Sequence, residues 1–130
     1  LRAVAFEPLP DVAAALRRAV AALEEAHPLR VDLRVREMAL ADKAGRRELG
    51  APSGSFAEAT FQDCMGHYGA VPGGCKFQAV QSETVDRLLL QAGDPDSEFL
   101  DLMKVHVQGD ELLALRGARR ALARGRICVV

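Results

Sequence analysis

Lys104-Val105-His106-Val107-Gln108-Gly109-Asp110-Glu111 runs directly into Leu112-Leu113-Ala114-Leu115-Arg116-Gly117-Ala118. The pattern predicts an apolar strand over Phe99–Val107 that ends abruptly in polar residues. A glycine turn follows at Gly109, then a helix over Asp110–Ala123 with Asp110 and Glu111 in its first turn. Acids suit that end of a helix because its dipole is positive there. A strand, a tight glycine turn and an acid-capped helix form a βα unit of an open α/β sheet. Ligands in such sheets sit beyond the carboxyl ends of the strands, which is where His106 and Gln108 fall.

Upstream, Arg2–Phe6 reads as a short buried strand stopped by Pro8 and Pro10, with Asp11 able to cap the next helix. Val12, Leu16, Ala19, Val20 and Leu23 recur at helical spacing on one face, opposite Arg17, Arg18, Glu24 and Glu25. His27-Pro28 ends that helix. Leu29, Val31, Leu33 and Val35 alternate with polar residues, the period of a strand. From Gly50 to Gly74 the pattern dissolves into glycines and prolines, with Phe56, Phe61 and Tyr68 among them, and residues 50–76 are expected to form a long loop or lid. Phe77–Gln81 is a further strand candidate, Thr84–Gln91 a short helix, Gly93-Asp94-Pro95-Asp96 a turn and Arg126–Val130 a last strand. Strands alternating with helices predict an α/β domain with a largely parallel sheet and helices on both faces.

The block from Lys104 to Ala118 resembles the late signature of the FkbM-type methyltransferases, which use S-adenosylmethionine. Ala5-Phe6-Glu7-Pro8 with Pro10 is similar to that family's second-strand motif. Ala39-Leu40-Ala41-Asp42 with Gly45 is similar to the segment after its third strand, and Thr84-Val85-Asp86-Arg87-Leu88-Leu89 to the short acidic helix before its fourth. These matches span nearly the whole chain, and the Lys104–Ala118 block is the most specific of them. The resemblance implies a Rossmann-like class I methyltransferase sheet. It implies transfer of a methyl group, with oxygen of a small metabolite, sugar or lipid-like molecule as acceptor.

The family's first strand and helix carry an acidic, glycine-rich turn of the Asp-Val-Gly-Ala-Asn type for the methionine end of the cofactor. Leu1–Val130 has no counterpart to it. Leu1 in place of methionine points to a fragment, so a single partial domain over 1–130 is expected, a fragment or degenerate copy that binds the cofactor weakly by itself. Unpaired strand edges would invite self-association. Direct pairing of Leu1–Phe6 with Phe99–Val107 in a smaller sheet is the alternative. A non-catalytic binding or docking module on a methyltransferase-like fold is the rival to an enzyme.

Glu7 follows directly on a buried strand, where a carboxylate can accept hydrogen bonds from both hydroxyls of a ribose. The resemblance implies that role, with Phe6 and Pro8 flanking it in the cofactor site. A carboxylate beside a helix N-terminus is the plainer account. Ala39 and Leu40 could pack on an adenine face, or simply close a strand end. His106 stands where the family has Asp, in Lys-Ile-Asp-Val, near the transferred methyl. Methyl transfer needs placement and a group to take the acceptor's proton, and imidazole titrates near neutrality. His106 is therefore a substituted base, a binding residue, the mark of a lost site, or a hydrogen-bonded strand histidine. Lys104 lies on the same side of a regular strand and could pair with Glu7 or Asp101, or tether an acidic substrate group. Glu111 suffices as a cap for its own helix.

Cys64-Met65-Gly66-His67 with Cys75 offers three candidate ligands where structural zinc needs four, so no metal is expected. A lid in which Phe61, His67 or Tyr68 touches substrate is the preferred reading. Arg116, Arg119, Arg120 and Arg124 form a basic stripe that could meet phosphate, or be the solvated face of an amphipathic helix.

At 130 residues the chain is of single-domain size. Its formal net charge of −1 gives no overall field toward nucleic acid or anionic lipid, and neither partner is expected. No apolar run reaches the roughly 18–20 residues of a membrane span, and no leader pattern is visible. Three cysteines at irregular spacing do not suggest a disulfide framework, which reads as a reducing, cytoplasmic setting.

Overall fold

The computed structural model describes residues 2–26, 32–53, 58–70, 72–90 and 99–130. The chain divides into two compact units, Leu1–Ala39 and Leu40–Val130. Together they make a mixed α/β protein whose described strands pair in small sheets, two of them parallel.

The first unit is a strand, a helix and a strand: β1 (Arg2–Phe6), α1 (Pro10–Ala26) and β2 (Asp32–Arg36). β1 and β2 run parallel, from Arg2 opposite Asp32 to Phe6 opposite Arg36. Parallel neighbours need a crossover, and α1 is it. Pro10 takes the first helical position, where a missing N–H is no loss. Asp11 therefore lies inside the first turn and does not cap the helix, a correction to the sequence reading. The turn instead opens on the Leu9 carbonyl, which accepts the Ala13 N–H at 2.8 Å. The inward face of α1 also differs from expectation. Ala13 is buried and Leu16 and Val20 are half-buried, whereas Val12 and Leu23 are 41% and 54% exposed. The strand expected from Leu29 is seen as Asp32–Arg36. Leu1, Leu29, Val31 and the His27-Pro28 stop lie outside the described residues.

The second unit opens with β3 (Ala39–Leu40) at its boundary and continues through β4 (Gly45–Pro52), α2 (Cys64–Tyr68), β5 (Cys75–Glu83) and α3 (Val85–Leu90). It ends with β6 (Leu100–Leu102), α4 (Glu111–Gly117), α5 (Arg119–Ala123) and β7 (Ile127–Val129). One sheet has the order β3-β5-β4, with β4 and β5 antiparallel from Gly45 opposite Ser82 to Pro52 opposite Cys75. The other joins β6 and β7 in parallel. Val85, Leu89, Met103, Ala118, Ala121 and Ile127 form the core, with Leu40, Leu100, Val105 and Leu115 packed against it.

Several expectations change here. The strand predicted over Phe99–Val107 is only Leu100–Leu102, because its ladder ends where Met103 N–H reaches the Val129 carbonyl at 2.9 Å. The single helix predicted over Asp110–Ala123 breaks at Ala118. Asp86 of α3 seals that break: its carboxylate accepts the N–H groups of Arg120 at 2.9 Å and Ala121 at 2.6 Å. The patternless stretch from residue 50 contains the end of β4, a bridge between Gly50 and Thr60, and α2. The strand at Phe77–Gln81 extends over Cys75–Glu83, and the helix at Thr84–Gln91 covers Val85–Leu90. Gly54, Phe56, Gln91 and the Gly93–Asp96 turn lie outside the described residues.

Gly117 shows why the Leu-Arg-Gly-Ala run ends as it does. A Cβ built on Gly117 would land on the carbonyl oxygen of Ala41 and lie 3.5 Å from the Cα of Thr84. Glycine in a helix normally costs up to about 1 kcal/mol relative to alanine. At this site the crowding is against rigid backbone, so the sign reverses. Gly117→Ala is expected to destabilise the chain by about 1–3 kcal/mol, the usual cost of overpacking, in guanidinium unfolding. A gain in stability would mean that α4 can move away from Ala41.

Candidate functional site

In the first unit, Glu7 stands at the carboxyl end of β1. Its backbone N–H donates to the Arg36 carbonyl at 3.0 Å, adding a bond where the parallel ladder ends. Its Oε1 accepts the Leu9 N–H at 2.9 Å. Oε2 has no protein partner among the described residues. The Glu7-Pro8-Leu9-Pro10 run thus folds so that the carboxylate is tied by one oxygen and offers the other. Phe6 and Pro8 on either side are half-buried. On α1, Arg17 reaches the Glu37 carboxylate at 3.3 Å and the Val35 carbonyl at 3.4 Å, holding the helix to the end of β2.

In the second unit, Met103–Val107 leaves β6 and enters a turn with two consecutive positive φ values, Gln108 at 51° and Gly109 at 92°. Glycine suits the second; Gln108 is the exception, since non-glycine residues seldom take this conformation. Glu111 holds the turn by accepting the N–H groups of Val107 at 3.1 Å and Gly109 at 3.3 Å. Its own backbone N–H and that of Val107 keep its carboxyl below the usual carboxylate range, with a smaller attraction from His106. The contribution of this charge to stability is present above the ordinary range and is lost as pH falls through the lowered pKa. His106 is exposed, and its Nε2 lies 3.4 Å from Gln108 Nε2, which can donate when that ring nitrogen is unprotonated. Lys104 is exposed and has no ion-pair partner among the described residues. Because β6 stops at Leu102, no ladder sets the common side expected for Lys104 and His106. Ala39 is buried, and Leu40 packs against the core.

Asp110 was expected only as a first-turn acid of the helix. It is 3% exposed and its Oδ2 accepts the Thr60 hydroxyl at 2.9 Å and the Phe61 N–H at 2.6 Å. Gln62 Nε2 adds a bond to the Gly109 carbonyl at 2.7 Å. The segment after β4 is thereby fastened to the turn that carries His106 and Gln108. Asp110 Oδ1 is buried with no partner among the described residues. Sequence spacing holds no signal for this pairing, since Thr60 and Asp110 are 50 residues apart.

Cys64 and Cys75 are joined in a disulfide, and Cys128 is free and exposed. Two of the three irregularly spaced cysteines thus pair after all, which removes the cysteine argument for a reducing compartment, because disulfides persist mainly in oxidising ones. It also takes two of the three candidate zinc ligands, and no group of three or more metal-ligating residues occurs among the described ones. The bond ties α2 to the start of β5, so part of the expected lid is anchored. His67 and Tyr68 belong to α2; their side chains lie outside the described part of the structure. No described helix is long and apolar enough to cross a membrane.

Compared with known proteins, the chain matches no family model, no curated sequence and no solved structure.

Thr60→Val keeps the shape of the side chain and deletes its bond to a buried carboxylate. It is expected to cost about 1–3 kcal/mol in urea unfolding, with Thr60→Ser close to the parent. Equal stability of the valine variant would show that Asp110 does not depend on Thr60. Reducing Cys64–Cys75 is expected to lower stability by about 2–3 kcal/mol through release of a short closed loop, read as an earlier unfolding midpoint with reductant present. An unchanged midpoint would show that the β4–β5 ladder holds this segment without the bond.

Proposed function

We propose that the chain carries the elements of an S-adenosylmethionine-dependent O-methyltransferase of the FkbM type, acting on a small metabolite, sugar or lipid-like acceptor. The observation that carries this reading is Glu7. It sits at the carboxyl end of β1 in a parallel β1-α1-β2 unit, pinned through Oε1 by Leu9 N–H, with Oε2 open. A fixed carboxylate with an open oxygen fits the hydroxyls of a ribose, and an ionised acceptor makes the stronger kind of hydrogen bond. Two of the described strand pairs, β1–β2 and β6–β7, are parallel, as strands of the expected sheet would be.

The cofactor would supply an electrophilic methyl group. Glu7 would hold its ribose, with Phe6 and Pro8 beside it, and Ala39 and Leu40 would border the adenine. His106 would take the proton of the acceptor hydroxyl through a ring nitrogen. Lys104, His67 and Tyr68 would touch the acceptor. The edges of the described small sheets would be open to self-association, and we assign the protein no nucleic-acid partner.

A specific observation favours a second reading, a non-catalytic binding or docking module. His106 is an exposed imidazole where the family has a carboxylate, and it cannot supply that negative charge.

The test is an amide-shift titration of the folded chain with S-adenosylhomocysteine. Weak but saturating shifts centred on Phe6–Leu9 are expected, and Glu7→Gln should weaken binding about tenfold or more, as loss of a charge-assisted bond requires. A folded chain whose amides do not move would overturn the cofactor site and leave the docking reading.

A further inference from the structure

A second site lies in the Leu40–Val130 unit, and it does not depend on the methyltransferase reading. A cavity of about 460 Å³ opens between α3, α4, α5 and the segment after β3. Three arginines line it, Arg87 from α3, Arg116 from α4 and Arg120 from α5, all exposed, together with Asp42, Asp86 and Leu90. Both acids are already committed. Asp42 is paired with Arg47 at 3.0 Å, and Asp86 accepts two N–H groups at the start of α5. Arg87 has Glu83 at 3.5 Å. Arg116 and Arg120 have no carboxylate partner among the described residues.

We infer that this cavity binds a small phosphorylated metabolite. Two arginines on the rim of one hollow, without a carboxylate partner among the described residues, suit a phosphate dianion, which accepts paired N–H bonds from such planar forks. The volume falls within the roughly 300–1,000 Å³ of small-molecule sites and exceeds what a bare anion fills. Leu90 supplies an apolar wall for the body of the ligand. The helix break at Ala118 falls between them, so that Arg116 and Arg120, four residues apart, come from different helices and line the same hollow. Arg119 and Arg124 belong to the same basic stripe in sequence but do not line the cavity. They separate a built site from a merely charged helix face.

The experiment is an amide-shift titration of the 130-residue chain with ribose 5-phosphate at constant ionic strength, with ribose and sulfate as comparators. Saturating shifts around Arg87, Arg116 and Arg120 are expected with ribose 5-phosphate and none with ribose. Arg116→Gln with Arg120→Gln should weaken binding about tenfold or more, as loss of charge-assisted bonds predicts, while Arg119→Gln with Arg124→Gln stays within about twofold of the parent. Equal weakening by the two pairs, or shifts that never saturate, would overturn the site in favour of diffuse charge. Sulfate binding as tightly as ribose 5-phosphate would overturn the metabolite assignment. If the first pair perturbs folding, Arg87→Gln serves as the second variant, with about a threefold or greater loss expected and an unchanged affinity overturning the site.

Discussion

Close approach of α4 to backbone is the constraint on which the larger unit depends. Gly117 meets the Ala41 carbonyl with no room for a methyl group, and Ala118 and Ala121 are fully buried beside it. Small residues in this run let helix backbone lie against the start of α3 and the segment after β3. Larger side chains would hold the helix off and open the core of Val85, Leu89, Met103 and Ile127. The same approach brings the Asp86 carboxylate within reach of the N–H groups that the break at Ala118 exposes. A helix break leaves backbone donors without partners in the helix, and one carboxylate from a neighbouring helix satisfies two of them.

A second polar contact organises the turn after β6. Asp110, with Thr60 and Phe61, ties the segment between β4 and β5 to the turn bearing His106, and the Cys64–Cys75 bond anchors that segment again at β5. These contacts reinforce each other. Gly50 is bridged to Thr60 on one side and paired with Phe77 on the other, and a Cβ there would come within 3.0 Å of Cys64 Cβ. A stretch that reads as a structureless lid is thus held by a ladder, a buried carboxylate and a covalent bond. The unpartnered Asp110 Oδ1 is the one discordant atom in the cluster, and its cost is borne by the bonds to Oδ2.

Elements with a clear hydrophobic period were legible in the sequence: β1, α1, β2 and α3, whereas around Gly109 the turn and the helix start were legible but the strand length and the helix break were not. β4 was not, because Gly-Arg-Arg-Glu-Leu-Gly-Ala-Pro holds charges and glycines where a strand pattern needs apolar alternation, and its last four residues are all buried instead of alternating. The inward face of α1 was misread for a related reason. Periodicity finds an apolar stripe, but which edge of that stripe is buried depends on what lies under it, and here Ala13 is innermost. Glu7 could be singled out because strand, carboxylate and prolines are contiguous. Thr60 with Asp110, and Arg87 with Arg116 and Arg120, could not, since each set is assembled from separate elements.

By itself the sequence determined an α/β protein with an acid after its first strand, a glycine turn before its late helix, and a resemblance carried by those two blocks. Such features are local: propensity, periodicity and turn chemistry act over a few residues, and a linear reading reaches that far. Only the tertiary structure decided where the late helix breaks, which thiols join, and which charges are spent on partners and which remain open. Those outcomes rest on contacts between distant segments, where burial makes an unpaired polar group costly and so selects its partner by position in space.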